Sequence, residues 1–122
     1  MNKRYVGTIG EYVSCEYLKE HYYDILDRNF NCRAGEIDIV AVDKNRKPEE
    51  YCFIEVKLRS NKRYGRPVDA ITEIKKKHLL NASKYYIYKK RMINKIVRYD
   101  VIEVYKKNDK YLINHLKNCE MY

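Results

Sequence analysis

Residues 35–57 constrain the fold more tightly than any other stretch. They read Gly35-Glu36-Ile37-Asp38-Ile39-Val40-Ala41-Val42-Asp43, then a polar segment 44–50, then Tyr51-Cys52-Phe53-Ile54-Glu55-Val56-Lys57. Both flanks are strand-length runs rich in β-branched and aromatic residues. Asn45 and Pro48, set among charges, mark a turn between them, so the stretch predicts a hairpin. Side chains alternate across a strand, so Glu55 and Lys57 share one face. Ile54, Val56 and Leu58 share the other, which is expected to face a core. Asp38, between Ile37 and Ile39, places a second acid on the neighbouring strand. Charges on a half-buried strand cost free energy unless they do something.

Hydrolysis of a phosphodiester requires charge neutralisation at the phosphate and an activated water. Mg²⁺ (or Mn²⁺) supplies both and prefers oxygen ligands from one or two carboxylates. Asp38 and Glu55 are the expected carboxylates, with the backbone carbonyl of Val56 as a further oxygen. Lys57 would orient the water or stabilise developing negative charge. An acid and a lysine alternating on a strand are also common as an exposed ion pair, worth roughly a few tenths of a kcal/mol. The surrounding chain favours the catalytic reading.

Residues 3 to about 23 predict a helix, with Val6, Ile9, Val13 and Tyr17 at three- and four-residue steps. Gly7 and Gly10 would let a backbone or a substrate approach, and Glu11 beside them is a further acid for the cluster, against the plainer reading of a solvated helix acid. Strands are expected over 24–30, 36–43, 51–59 and 96–104, with a short fifth over 111–116. A second helix is expected over 68 to about 90, opened by Asp69 or Thr72. Its apolar stripe reads Ile71, Ile74, His78, Ala82 and Tyr85. Short loops join the first three strands into an antiparallel meander. The long helix then crosses over, so strand four can lie parallel to a central strand.

The 122-residue length suits one domain with one core, spanning 1–122. A formal net charge of +9 points to a polyanionic partner. Arg59, Lys62, Arg63 and Arg66 flank the loop leaving the active strand, and Lys75 begins the next helix beside Lys76 and Lys77. These cations are expected to contact phosphates without reading bases. Fourteen tyrosines, several beside lysines, add faces on which unpaired bases can stack; a low-GC genome would also enrich tyrosine and lysine. The four cysteines and three histidines are dispersed without zinc-knuckle spacing. No apolar run approaches a membrane span and none follows Met1 as a leader would, so the expected location is the cytoplasm, with no membrane partner.

Four motifs in order carry a resemblance: Gly7-x-x-Gly10-Glu11, Gly35-Glu36-Ile37-Asp38-Ile39-Val40, Phe53-Ile54-Glu55-Val56-Lys57-x-Arg59 and Tyr64-Gly65-x-Pro67. Together they resemble the YraN-like family of small bacterial proteins. That family is similar to archaeal Holliday-junction resolvases within the PD-(D/E)XK, or restriction-endonuclease-like, superfamily. The resemblance covers nearly the whole chain and implies an α/β fold with an αβββαβ core, a mixed central sheet flanked by helices. It implies that Asp38 is the motif aspartate, Glu55 and Lys57 the (D/E)xK pair, Glu11 the first-helix acid and Lys75 a basic position of the second helix. Ile37 stands where a proline gives the superfamily its first letter. The implied function is a Mg²⁺-dependent endonuclease for branched, flapped or junction DNA, and a homodimer would supply the two sites a junction needs. The alternative readings are a non-catalytic DNA- or RNA-binding module that retains the fold, and a basic accessory protein of a larger assembly.

Overall fold

The computed structural model describes residues 3–59 and 72–121, with side chains from residue 9 onward in the first helix. Val6 and Gly7 lie in the helical backbone of α1 ahead of its described side chains, and the expected positions Lys62, Arg63, Tyr64, Gly65, Arg66, Pro67, Asp69 and Ile71 lie outside the described residues. The elements run α1 (Lys3–Glu20), β1 (Tyr23–Cys32), β2 (Gly35–Asp43), β3 (Glu50–Arg59), α2 (Glu73–Lys89), β4 (Ile96–Lys107) and β5 (Lys110–Leu116). The sheet order is β1-β2-β3-β4-β5. β1, β2 and β3 form an antiparallel meander, β4 lies parallel to β3, and β5 returns antiparallel to β4. The molecule is thus α/β, with the mixed sheet and αβββαβ order that the sequence predicts.

Each helix covers one face of this sheet. Cys15 and Leu18 of α1 pack on Ile39, Ala41, Ile54, Ile102 and Val104. Leu79, Ala82 and Tyr86 of α2 pack on Ile37, Val40, Phe53 and Val101, and Met121 returns to the same cluster. One expectation is corrected here. The face of β3 bearing Glu55 is also core, because Phe53 is fully buried on it. Central strands with a parallel neighbour are covered on both sides. Leu58, expected to face a core, is 38% exposed near the strand's end.

α2 is rotated by about one residue from its expected stripe. Leu79, Ala82, Ser83 and Tyr86 are buried, while Ile74 and Tyr85 are exposed. The Tyr86 hydroxyl decides the rotation: it donates to Asp27 at 2.8 Å while the ring stands edge-on to Phe30 and Phe53. Thr72 caps the helix, its hydroxyl accepting the Lys75 N–H at 3.2 Å.

Cys32 pairs with Gly35 across a two-residue turn, Arg33-Ala34. Gly35 has φ 149°, and a Cβ there would stand 2.9 Å from the His78 Cβ and 3.0 Å from its carbonyl oxygen. The turn therefore seats directly on the first half of α2. Gly35→Ala is expected to cost about 2 kcal/mol through backbone strain and displacement of α2, lowering the melting temperature by about 8 °C. A thermal melt checks this, and an unchanged midpoint would mean that the turn and α2 move apart freely.

Beneath α1, at the end of the sheet where β3 starts, lies a buried polar network. Arg98 of β4 donates to Asp43, Glu50, Asp100 and the Tyr23 hydroxyl. Asp100 also meets His115 Nε2 at 2.8 Å, and His115 Nδ1 meets the Tyr17 hydroxyl at 2.9 Å.

Candidate active site at a fork between two strands

β2 and β3 pair from Asp43–Glu50 as far as Ile39–Ile54. Beyond that rung their pairing ends, and the site sits in the fork. On its other side β2 pairs Arg28 with Ile39 and Phe30 with Ile37, and Asn29 between them takes φ 52°. The alternation of side chains breaks there: Ile37 and Val40, three apart, belong to the same core cluster. Asp38 is the residue this irregularity turns into the fork. Its Oδ2 accepts the Val56 N–H at 2.8 Å, standing in for the strand carbonyl that β2 no longer presents.

Glu55 precedes that amide and is 9% exposed. Its Oε1 lies 3.7 Å from Lys57 Nζ and 3.4 Å from Lys75 Nζ. The α2 N-terminus thus delivers Lys75 to the same carboxylate that β3 pairs with Lys57. Glu11 arrives from α1 and is buried, its side chain hydrogen-bonded by Asn29 and within the field of Arg28, Glu36 and Glu55. Gly10 permits that approach. A Cβ on it would meet Val56 Cγ1 at 3.5 Å and Leu58 Cβ at 3.7 Å, so α1 crosses β3 at the fork.

The electrostatics are those of crowded acids. Burial and then the Glu55 charge push the Asp38 carboxyl up to about 8, against the Val56 hydrogen bond that favours its anion. Burial raises Glu11 as well, outweighing Asn29 and Arg28. Burial and the neighbouring Lys75 lower Lys57, although Glu55 and Asp38 favour its charge. Lys75, half exposed, is raised by its contacts with Lys57 and Glu55.

An open pocket of about 380 Å³ adjoins the fork, lined by Asn31, Cys32, Gly35, Glu36, Glu55, Lys75 and His78. The donor set suits a hard cation, since Asp38, Glu55 and the Val56 carbonyl offer oxygen only. Among the described residues no group of three or more histidine, cysteine, aspartate or glutamate side chains converges as ligands. Two carboxylates, a carbonyl and water would therefore hold such an ion, with Glu11 behind them.

Arg59, expected at phosphate, directs Nη2 to Glu103 at 3.2 Å, and its buried Nε has no partner among the described residues. Glu103 was not singled out by sequence reasoning. It is buried on β4 in register with Lys57 and accepts from Asn114 at 2.8 Å. A lone acid inside the apolar run Val101-Ile102-Glu103-Val104 is the signal that marks it. Glu36 and His78, which line the pocket, carry no such signal, because only the turn and α2 together bring them to Glu55.

A family profile described as "Uncharacterised protein family UPF0102" matches residues 10–104. A UPF0102 protein of Clostridium perfringens is 43% identical over 116 residues, covering 93% of this chain and 92% of the relative. This chain belongs to the UPF0102 family. Another UPF0102 protein, of Caldicellulosiruptor saccharolyticus, is 42% identical over 121 residues, covering 98% and 99% of the two chains. One of Clostridium botulinum is 43% identical over 117 residues, covering 93% and 92%. UPF0102 is thus the family of bacterial, YraN-like proteins that the motifs resemble. The matched segment runs from α1 into β4 and so contains every described residue of the fork.

Proposed function

We propose that this UPF0102 protein is a divalent-cation-dependent endonuclease that hydrolyses DNA phosphodiesters, similar in its site to the PD-(D/E)XK enzymes and to junction resolvases among them. The observation that carries the reading is the placement of Asp38 and Glu55 on either side of the Val56 amide, with Lys57 and Lys75 on the Glu55 carboxylate. Mg²⁺, when bound, supplies charge neutralisation at the phosphate and a more acidic water. Asp38, Glu55 and the Val56 carbonyl would hold it, and Glu11 would strengthen the field that attracts it. Lys57, partly buried and held beside the Glu55 carboxylate, is placed to orient a water or stabilise the developing negative charge. Lys75 would meet a phosphate entering from the pocket mouth. A cytoplasmic location and a homodimer on junction DNA belong to the same reading. None of the described helices is long and apolar enough to cross a membrane.

The test is incubation with linear, flapped and four-way DNA in Mg²⁺ or Mn²⁺. Asp38→Ala, Glu55→Ala and Lys57→Ala are each expected to lower cleavage by at least about a hundredfold with unchanged circular dichroism. Glu11→Gln should instead raise the cation concentration needed for half-maximal rate. Full activity in Glu55→Ala would sink the reading. The second reading, a binding module on the same fold, draws on the ion pairs that already satisfy Glu55. Tight DNA binding without any cleavage or cation-induced thermal shift would favour it.

A further inference from the structure

α2 carries a line of side chains away from the pocket. His78 lines the pocket, and Tyr85, seven residues on, lies on the same side of the helix. Tyr85 is 43% exposed and lies outside the buried stripe of Leu79, Ala82, Ser83 and Tyr86. Its ring centroid stands 6.2 Å from that of Phe30 on β1, inclined by 31°. Lys89, one turn further, holds its Nζ 5.9 Å from the Phe30 ring and 6.0 Å from the Tyr85 ring. Phe30 pairs across the sheet with Ile37, the residue before Asp38, so this aromatic pair begins beside the fork. From Lys75 to Tyr85 the helix rises about 15 Å.

We propose that Tyr85, Phe30 and Lys89 form a stacking platform for an unpaired DNA strand that leaves the pocket along α2. This deepens the nuclease reading and rests on it for the placement of the cut, because it assigns the substrate a single-stranded arm. Within a duplex the base faces are covered by the neighbouring pairs of the stack, so an aromatic ring beside the double helix cannot stack on them. An unpaired base can, whatever its identity, since every base has a π-face. Lys89 now occupies the position over the rings that a base would take. An ammonium at an exposed ring is held more weakly than a stacked base, so it gives way and swings to the adjoining phosphate. Lys75 at the pocket and Lys89 beyond the rings then neutralise phosphates at the two ends of the track.

The experiment is fluorescence anisotropy of the full chain with a labelled oligothymidylate and with a duplex of equal length, without divalent cation. Tyr85→Ala is expected to weaken single-strand binding about tenfold and to leave duplex binding close to wild type. Tyr85→Leu, which keeps an apolar side chain against Phe30, should lose affinity like alanine, and Tyr85→Phe should retain it. Thermal melts show that each variant is folded. A folded Tyr85→Leu that binds the oligothymidylate like wild type, or loses both ligands equally, overturns the platform. So does wild-type protein that shows no single-strand binding. If the wild type cleaves no DNA while Tyr85→Leu loses single-strand affinity, the nuclease reading falls and the platform stands. If flapped DNA is cut and Tyr85→Leu binds and cuts it like wild type, the platform falls and the nuclease stands.

Discussion

Arg98→Leu is expected to unfold the protein, or nearly so, at neutral pH. Arg98 is 5% exposed, and its guanidinium donates to three carboxylates and a tyrosine hydroxyl. Asp43 and Asp100 beside it are essentially inaccessible to solvent. Removing the cation leaves two buried acids facing each other, a loss of about 3–5 kcal/mol. That is a large share of the roughly 5–15 kcal/mol that holds a domain of this kind folded. The pH dependence follows from the same groups. Burial works to raise the Asp43 carboxyl, but hydrogen bonds from Arg98 and Asn45 outweigh it and lower it to about 2. Asp100 is lowered likewise, with His115, Arg98 and the Asn118 N–H overcoming burial. A depressed carboxyl stabilises the fold above its unfolded value, near about 4, and that contribution is lost as pH falls through the folded value. Wild-type protein should therefore lose stability between about pH 4 and 2. In Arg98→Leu the same acids have lost their partner and should be least tolerable when ionised, so mild acid should restore part of the stability. Urea unfolding followed by far-ultraviolet circular dichroism from pH 4 to 8 decides it. A neutral-pH midpoint equal to wild type would show that the network tolerates its missing centre.

Asp38→Asn is expected to abolish cleavage and yet make the protein more stable. Burial and the Glu55 charge push Asp38 up to about 8. A raised carboxyl works in the opposite sense to Asp43. Its penalty is absent below the unfolded value and complete above the folded one. Cation-free wild type should therefore lose stability as pH rises from about 4 to 8. Taken at full strength the shift corresponds to about 6 kcal/mol; partial solvent screening of a half-buried group reduces that to about 2–3 kcal/mol. Asparagine removes the charge and still offers an oxygen to the Val56 N–H. The melting temperature at pH 8 should then rise by about 10 °C, and the slope with pH should flatten. Adding Mn²⁺ should stabilise the wild type and leave the variant unchanged, because a bound cation relieves the same repulsion. A variant no more stable than wild type at pH 8 would show that Asp38 is not under the strain described. Loss of function with gain of stability is what a strained site predicts, whereas a structural acid would lose stability with its charge.

The elements themselves were legible in the residues because their causes are local. The β-branched and aromatic runs Ile37 to Val42 and Tyr51 to Val56, the turn residues between them and the threonine before Glu73 act over a few positions. The crossover of a long helix predicted the parallel β3–β4 pair. Glu55 and Lys57 were placed on one face by strand geometry alone, and the structure sets them 3.7 Å apart.

What the chain order could not state is how the elements meet. Asp38 stands at the fork because β2 and β3 stop pairing after Ile39–Ile54 while Asn29 turns the neighbouring strand. Neither event has a signature in the sequence around Asp38. The rotation of α2 was missed because Ile74 and Tyr85 look as apolar as Leu79 and Tyr86. The Tyr86 hydroxyl, finding Asp27, and the Ser83 hydroxyl, meeting that of Tyr99 at 2.7 Å, fix the face that is buried. Arg98, Asp43, Asp100 and His115 read as scattered charges until β4 and β5 close the sheet and bring them within hydrogen-bond distance. The amino-acid sequence by itself determined the strands, the helices and the acid–acid–lysine set, through interactions between near neighbours. The tertiary structure alone decided the fork, the burial of the Arg98 network and the aromatic track on α2, because each depends on partners far apart in sequence and on the solvent they exclude together.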